Sequence, residues 1–146
     1  MTAKLSASVL VLGLVVLAAG AAPIVDGDLA RLQGQWEAKV GQKKATKVRL
    51  EIKGHTVNAT FLTPHGIKIK AEGEVNIDES TSPKALDWVK FTTLDGEEVP
   101  EVRAIYRIEG DRLVIRSGGF NDQRPKEFNP GEGVWAAVLV FERPIQ

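Results

Sequence analysis

The strongest constraint in this sequence is a side-chain alternation of period two that recurs along most of its length. Ile67, Ile69, Ala71, Gly73, Val75 and Ile77 alternate with Lys68, Lys70, Glu72, Glu74 and Asn76. An extended strand turns successive side chains to opposite faces, so this run places one apolar face on a core and one polar face in water. The same pattern occupies residues 36–40, 48–53 and 57–61. It returns in residues 102–108 and 113–115 and in a last strand over 133–142. Residues 86–92 form a less regular strand, apolar on both faces around Trp88, Val89 and Phe91, so the alternation does not say which face points inward.

Turn chemistry separates these runs. Gly54-His55, Thr63-Pro64-His65-Gly66, Asp95-Gly96 and Glu109-Gly110-Asp111 carry the residues that tight turns favour. Gly73 within the longest run predicts a bulge or bend. One short helix is expected over residues 26–33, capped by Asp26 or Asp28, with Leu29 and Leu32 on one face and Gly34 as its stop. Residues 117–132 read as the longest irregular stretch. About eight antiparallel strands in uninterrupted succession predict a single all-β, up-and-down barrel with a short N-terminal helical turn, since closure removes exposed edges. A two-sheet sandwich is the structural alternative. Eight strands enclose an interior that is either filled by side chains or holds one small ligand.

Composition narrows the function classes. Lysine and arginine number 19 and so do aspartate and glutamate. This balance is unlike the basic face of a nucleic-acid binder, so no nucleic acid is expected as partner. There is no cysteine, which removes disulfides, thiol nucleophiles and thiolate metal sites, and only two histidines are present. His55 and His65 fall in separate turns and read as solvated, so neither metal nor cofactor is expected. The motifs of nucleotide binding and of hydrolase or metalloprotease catalysis are missing. The acidic pair Glu97-Glu98 lies in a turn, and Asn58-Ala59-Thr60 reads as an accidental glycosylation match.

The first segment stands apart. Lys4 precedes an apolar stretch from Val9 to Ala19, and Ala19-Gly20-Ala21 fits the small-x-small cleavage rule. Residues 1–21 therefore read as a signal peptide and 22–146 as the exported domain. An uncleaved segment serving as membrane anchor is the alternative, and the expected membrane contact is confined to it.

Gly34-Gln35-Trp36 directly after the helical turn resembles the lipocalin G-x-W signature. In that superfamily the tryptophan plugs the closed end of the barrel and an arginine after the last strand packs across it, and Arg143 is the matching position. A longer ordered series includes Ile52-Lys53-Gly54, Tyr106-Arg107-Ile108-Glu109-Gly110-Asp111-Arg112-Leu113 and Arg124-Pro125-Lys126-Glu127-Phe128. It is similar to an uncharacterised, lipocalin-like secreted domain family expanded in planctomycete bacteria. Members often carry a cysteine where this sequence has Arg116, and lipocalins end in a long helix that does not follow Arg143 here. The resemblance implies a barrel and export, and it implies no activity.

Each candidate site has a structural counterpart. Trp36 and Arg143 would floor a pocket or simply plug the barrel. Trp88 and Tyr106 would stack on a ligand or serve as core. Arg124 and Phe128 would form a lid that meets an anionic group, or anchor the long loop through a carboxylate pair. Gly110 and Asp111 read as turn residues. The inward stripe Ala38, Val40, Val48, Leu50, Val57, Ala59, Ile69, Ala71, Val75, Ala136 and Val138 contains small residues that would leave a cavity. The expectation is a non-enzymatic exported domain that binds a small apolar or amphipathic molecule. The alternative is a solid-core structural or interaction module, marked by an exposed aromatic patch near Trp88 or Trp135.

Overall fold

The computed structural model describes residues 26–129 and 138–145, which form one closed antiparallel barrel. A helix, α1 (Gly27–Leu32), precedes β1 (Gly34–Val40), β2 (Thr46–Lys53), β3 (Thr56–Leu62) and β4 (Lys68–Asp78). Then come β5 (Lys84–Thr93), β6 (Val102–Glu109), β7 (Arg112–Phe120) and β8 (Val138–Glu142). Each strand pairs with its neighbours in sequence, and β1 meets β8 at Glu37 and Glu142. The expected all-β, up-and-down barrel with a short helical turn is the observed fold. The expected signal segment, Ala136, Trp135 and the first part of the last strand lie outside the described residues.

Alternation determines the interior. Ala38, Val48, Leu50, Val57, Ala59 and Val75 are buried inward, while Lys39, Lys47, Arg49, Asn58 and Glu72 face out. Two bulges interrupt the pattern near the open end of the barrel, where β1 ends. In the first, the β4–β5 register passes from Glu72 opposite Thr92 to Glu74 opposite Val89, so Lys90 and Phe91 together oppose Gly73. Lys90 takes a left-handed φ of 56° there. The extra residue shifts the parity of β5, so Leu86, Trp88 and then Phe91 all turn inward, and this resolves the strand that looked apolar on both faces. The bulge expected from Gly73 is thus present, with its extra residue on the partner strand.

The second bulge corrects the sequence reading. β7 continues to Phe120 rather than stopping near Ile115, because Gly118 and Gly119 fit two residues against Arg103. An added Cβ on Gly118 would stand 2.6 Å from the Gln123 carbonyl. The chain after β7 crosses directly over this glycine. The inward set of β8 is Leu139 and Phe141, so Val138 faces outward opposite Arg116, against expectation.

Candidate functional site

The barrel has a sealed end and an open end. The seal starts with Gly34, whose φ of 100° is one that L side chains rarely adopt, and an added Cβ there would stand 3.2 Å from Arg143 Nη1. Glycine therefore lets the chain leave α1, enter β1 and still make room for the guanidinium. Trp36, fully buried, donates its indole N–H to the Leu32 carbonyl at 2.9 Å. The Arg143 guanidinium lies 3.7 Å from the centre of the Trp36 ring. Arg143 also donates to the carbonyls of Gln33 at 2.8 Å, Gln35 at 3.1 Å and Arg31 at 2.8 Å. The Arg31 and Gln33 carbonyls at the end of α1 have no helical partner, and a cation there suits the helix dipole. Burial lowers the Arg143 pKa and Asp111 opposes that shift, while the side chain remains a cation. Gly110 takes a φ of 58° in the β6–β7 turn beside exposed Asp111.

A buried carboxylate locks the helix onto the barrel. Asp28 is only 5% exposed. It accepts hydrogen bonds from the Tyr106 hydroxyl at 2.8 Å and from Lys84 Nζ at 2.8 Å, and Arg31 approaches it at 3.3 Å. Burial alone would raise its pKa. Hydrogen bonds from Lys84 and Tyr106 and the charges of Lys84 and Arg31 outweigh burial and hold the group below its ordinary 3.8. Burial, reinforced by the hydrogen bond to Asp28, pushes the Tyr106 hydroxyl far above its ordinary range. Neither aspartate expected as a helix cap caps with its side chain: Asp26 makes no such bond, and the Asp28 amide is instead held by Glu79. Gln33 ties α1 to the Gly54 turn by donating to the Gly54 carbonyl and accepting from its amide. Gln33 and Glu79 carried no sequence signal, because their partners are 21 and 51 residues away.

The open end holds a cavity of about 390 Å³. Its wall includes Val40, Leu50, Phe61, Ala71, Trp88, Phe91, Ile115, Phe120, Leu139 and Phe141. Apart from the Trp88 indole, Ser117 is the one described wall residue whose side chain carries a hydrogen-bonding group, and no titratable side chain reaches the described wall. Trp88 and Phe91 pack edge to face with ring centres 6.1 Å apart. Both bulges serve this wall, turning Phe91 and Phe120 toward the space. Such a cavity accepts apolar surface and rejects an unpaired charge, whose desolvation nothing here would offset.

Of the four side chains expected to meet a ligand, Trp88 alone lines this cavity. Tyr106 sits in the sealed end with its hydroxyl committed to Asp28. Arg124 and Phe128 lie on the outer wall, not over the mouth. Arg124 donates to the Ala104 carbonyl at 2.7 Å and stands 2.7 Å from Asp87 Oδ1. The contact with Asp87 is one of charge, since that oxygen is buried without an aligned hydrogen bond. Arg107 stacks on Phe128 at 4.6 Å, and Arg116 holds the Glu127 carbonyl at 2.7 Å. The outward residues Ala85, Ile105 and Val114 are buried, and residues 121–129 run as a strap along this outer face. Tyr106 and Phe128 do share a shallow polar groove of about 290 Å³ at the sealed end, with Arg31, Lys84 and Arg107.

Comparisons with protein-family models, with curated proteins and with solved structures give no match. His55 Nδ1 meets the Val75 carbonyl at 2.8 Å and His65 is exposed in its turn. No three histidine, aspartate or glutamate side chains converge on a metal-sized site among the described residues.

Proposed function

We propose that this barrel binds a small apolar or amphipathic molecule non-covalently in its open-end cavity. The observation that carries this reading is a space of about 390 Å³ walled by aliphatic and aromatic side chains. That volume lies within the usual range for small-molecule sites, roughly 300–1,000 Å³. A described wall without titratable groups favours binding over catalysis, which needs a positioned acid, base or nucleophile. Any polar end of the ligand stays at the mouth. On this reading the chain is an exported, lipocalin-like carrier whose residues 1–21 direct export; the G-x-W plug with its stacked arginine supports the lipocalin-like part.

The test is native mass spectrometry of protein purified from its own host, followed by displacement of an environment-sensitive apolar dye. A reproducible adduct that leaves on denaturation, and that competes with the dye, supports the carrier. A bare chain that takes up no dye overturns it.

A further inference from the structure

The formal net charge is zero, but charge is sorted at the open end. One outer rung next to the mouth crosses four strands as Lys39, Lys47, Leu62 and Lys68, paired in that order. Lys70 follows one step outward-facing further along β4. Lys43 and Lys44 project from the β1–β2 connection, where both take left-handed φ values of 56° and 53°. None of these lysines makes an ion pair among the described residues. Four of the five strand arginines are different: Arg49, Arg103, Arg107 and Arg112 have carboxylate partners, and the fifth, Arg116, bonds the Glu127 carbonyl.

Large apolar side chains stand exposed among these cations. Leu94 is 79% exposed, Ile67 58%, Ile69 46% and Leu62 39%. The Leu94 amide bonds the Lys70 carbonyl at 3.3 Å, so Leu94 adjoins the basic edge. Asp95, Glu97 and Glu98 cluster further round the mouth on the β5–β6 loop. Apolar tips ringed by unpaired lysines complement an anionic lipid leaflet, which attracts the cations and accepts the apolar tips at its interface.

We infer that the β1–β4 side of the barrel mouth docks on an anionic lipid surface, with Ile67 entering the interface and Lys43, Lys47 and Lys68 against the headgroups. Acidic residues on the β5–β6 loop tilt the barrel so that this side lies closest. Docking goes beyond the carrier reading and does not depend on it, since the contact is made by the rim and not by the cavity wall.

The chain has no cysteine, so a single introduced thiol can carry an environment-sensitive fluorophore. Ile67→Cys would report on the mouth and Lys53→Cys on the sealed end, in protein as its host produces it, mixed with phosphatidylglycerol–phosphatidylcholine vesicles. The expected result is a shift to apolar surroundings at position 67 only, absent with pure phosphatidylcholine and suppressed by salt. Adding Lys43→Gln, Lys47→Gln and Lys68→Gln to the position-67 reporter should weaken partitioning about fivefold for each lysine, roughly a hundredfold in all. Equal shifts at both positions, no preference for the anionic vesicles, or an unchanged partition in the triple variant would each overturn the proposal. Cavity binding of the apolar dye, measured on the same samples, reports separately on the carrier reading.

Discussion

The ring of Phe91 fills the space that a side chain on Gly73 would occupy: an added Cβ would stand only 2.7 Å from Phe91 Cε2 and closer still to the rest of that edge. The bulged β5 strand thus sets one edge of an aromatic ring against bare β4 backbone. Gly73→Ala should cost about 1–3 kcal/mol, because the ring must leave its place or the strands must part. Denaturant unfolding measures the cost. Reduced dye uptake by the same variant would show that the displaced ring enters the cavity.

At the sealed end Arg143 joins a stacked indole to three carbonyls. Arg143→Ala should lower stability by about 2–4 kcal/mol, combining lost cation–π attraction with unsatisfied acceptors. Arg143→Lys should recover little of this, since an ammonium cannot lie flat on Trp36 and span the same carbonyls. A double-mutant cycle with Trp36→Phe isolates the stacking energy.

Asp28 sets an acid limit. Its pKa is held below 3.8 in the folded protein, so its contribution is fully present above that value and is lost as pH falls through the lower, folded value. Asp28→Asn should therefore be less stable than the parent at neutral pH and should show a shallower loss of stability below about pH 4. Unfolding curves recorded from pH 2 to 7, roughly the span over which carboxylates titrate, test both.

Tyr106 sets the matching alkaline limit. It is the single tyrosine of the chain, so phenolate absorbance reads this residue alone. Its folded pKa is raised, hence the stability it contributes is complete below the ordinary value of 10.0 and declines as pH rises above it. Phenolate should appear only together with loss of the near-ultraviolet dichroism of the buried Trp36 indole. A normal titration in the folded state would contradict the Asp28 hydrogen bond.

Ala71 faces the cavity. Ala71→Trp should fill part of the space and weaken uptake of an apolar dye by at least about tenfold, with a small effect on the unfolding midpoint because the ring enters free volume. Strong destabilisation with unchanged uptake would place the dye elsewhere.

Arg124 is one of three cations that hold the strap, with Arg107 and Arg116. Arg124→Ala leaves the buried Asp87 Oδ1 uncompensated and frees the Ala104 carbonyl, so residues 121–129 should become sensitive to limited proteolysis before the barrel unfolds. Cleavage mapped by mass spectrometry checks this.

Local pattern was enough to read the strands and their order. Period-two burial is a property of adjacent residues, and turn pairs such as Asp95-Gly96 act over a few positions. The Trp36–Arg143 pairing was legible only through the resemblance carried by Gly34-Gln35-Trp36, which implies an arginine after the last strand; no local pattern links two residues so far apart in sequence. What the pattern could not reveal was parity. A bulge moves one residue and reverses every side chain beyond it, so the inward turn of Phe91 and the continuation of β7 through Gly118 emerge only from strand pairing.

The alternating strands and glycine-bearing turns of this sequence by themselves determined a succession of antiparallel strands, since these arise from interactions between near neighbours, whereas closure joins Glu37 to Glu142 and the plug joins Trp36 to Arg143 across the length of the barrel domain. Its tertiary structure decided which side chains see the cavity, and it sent Arg124 and Phe128 to the outer wall and Tyr106 to the plug. It also gathered lysines from β1, the β1–β2 connection, β2 and β4 on one side of the mouth, in a chain whose net charge is zero. Net charge is a sum over residues, whereas a surface potential depends on where closure of the barrel puts them.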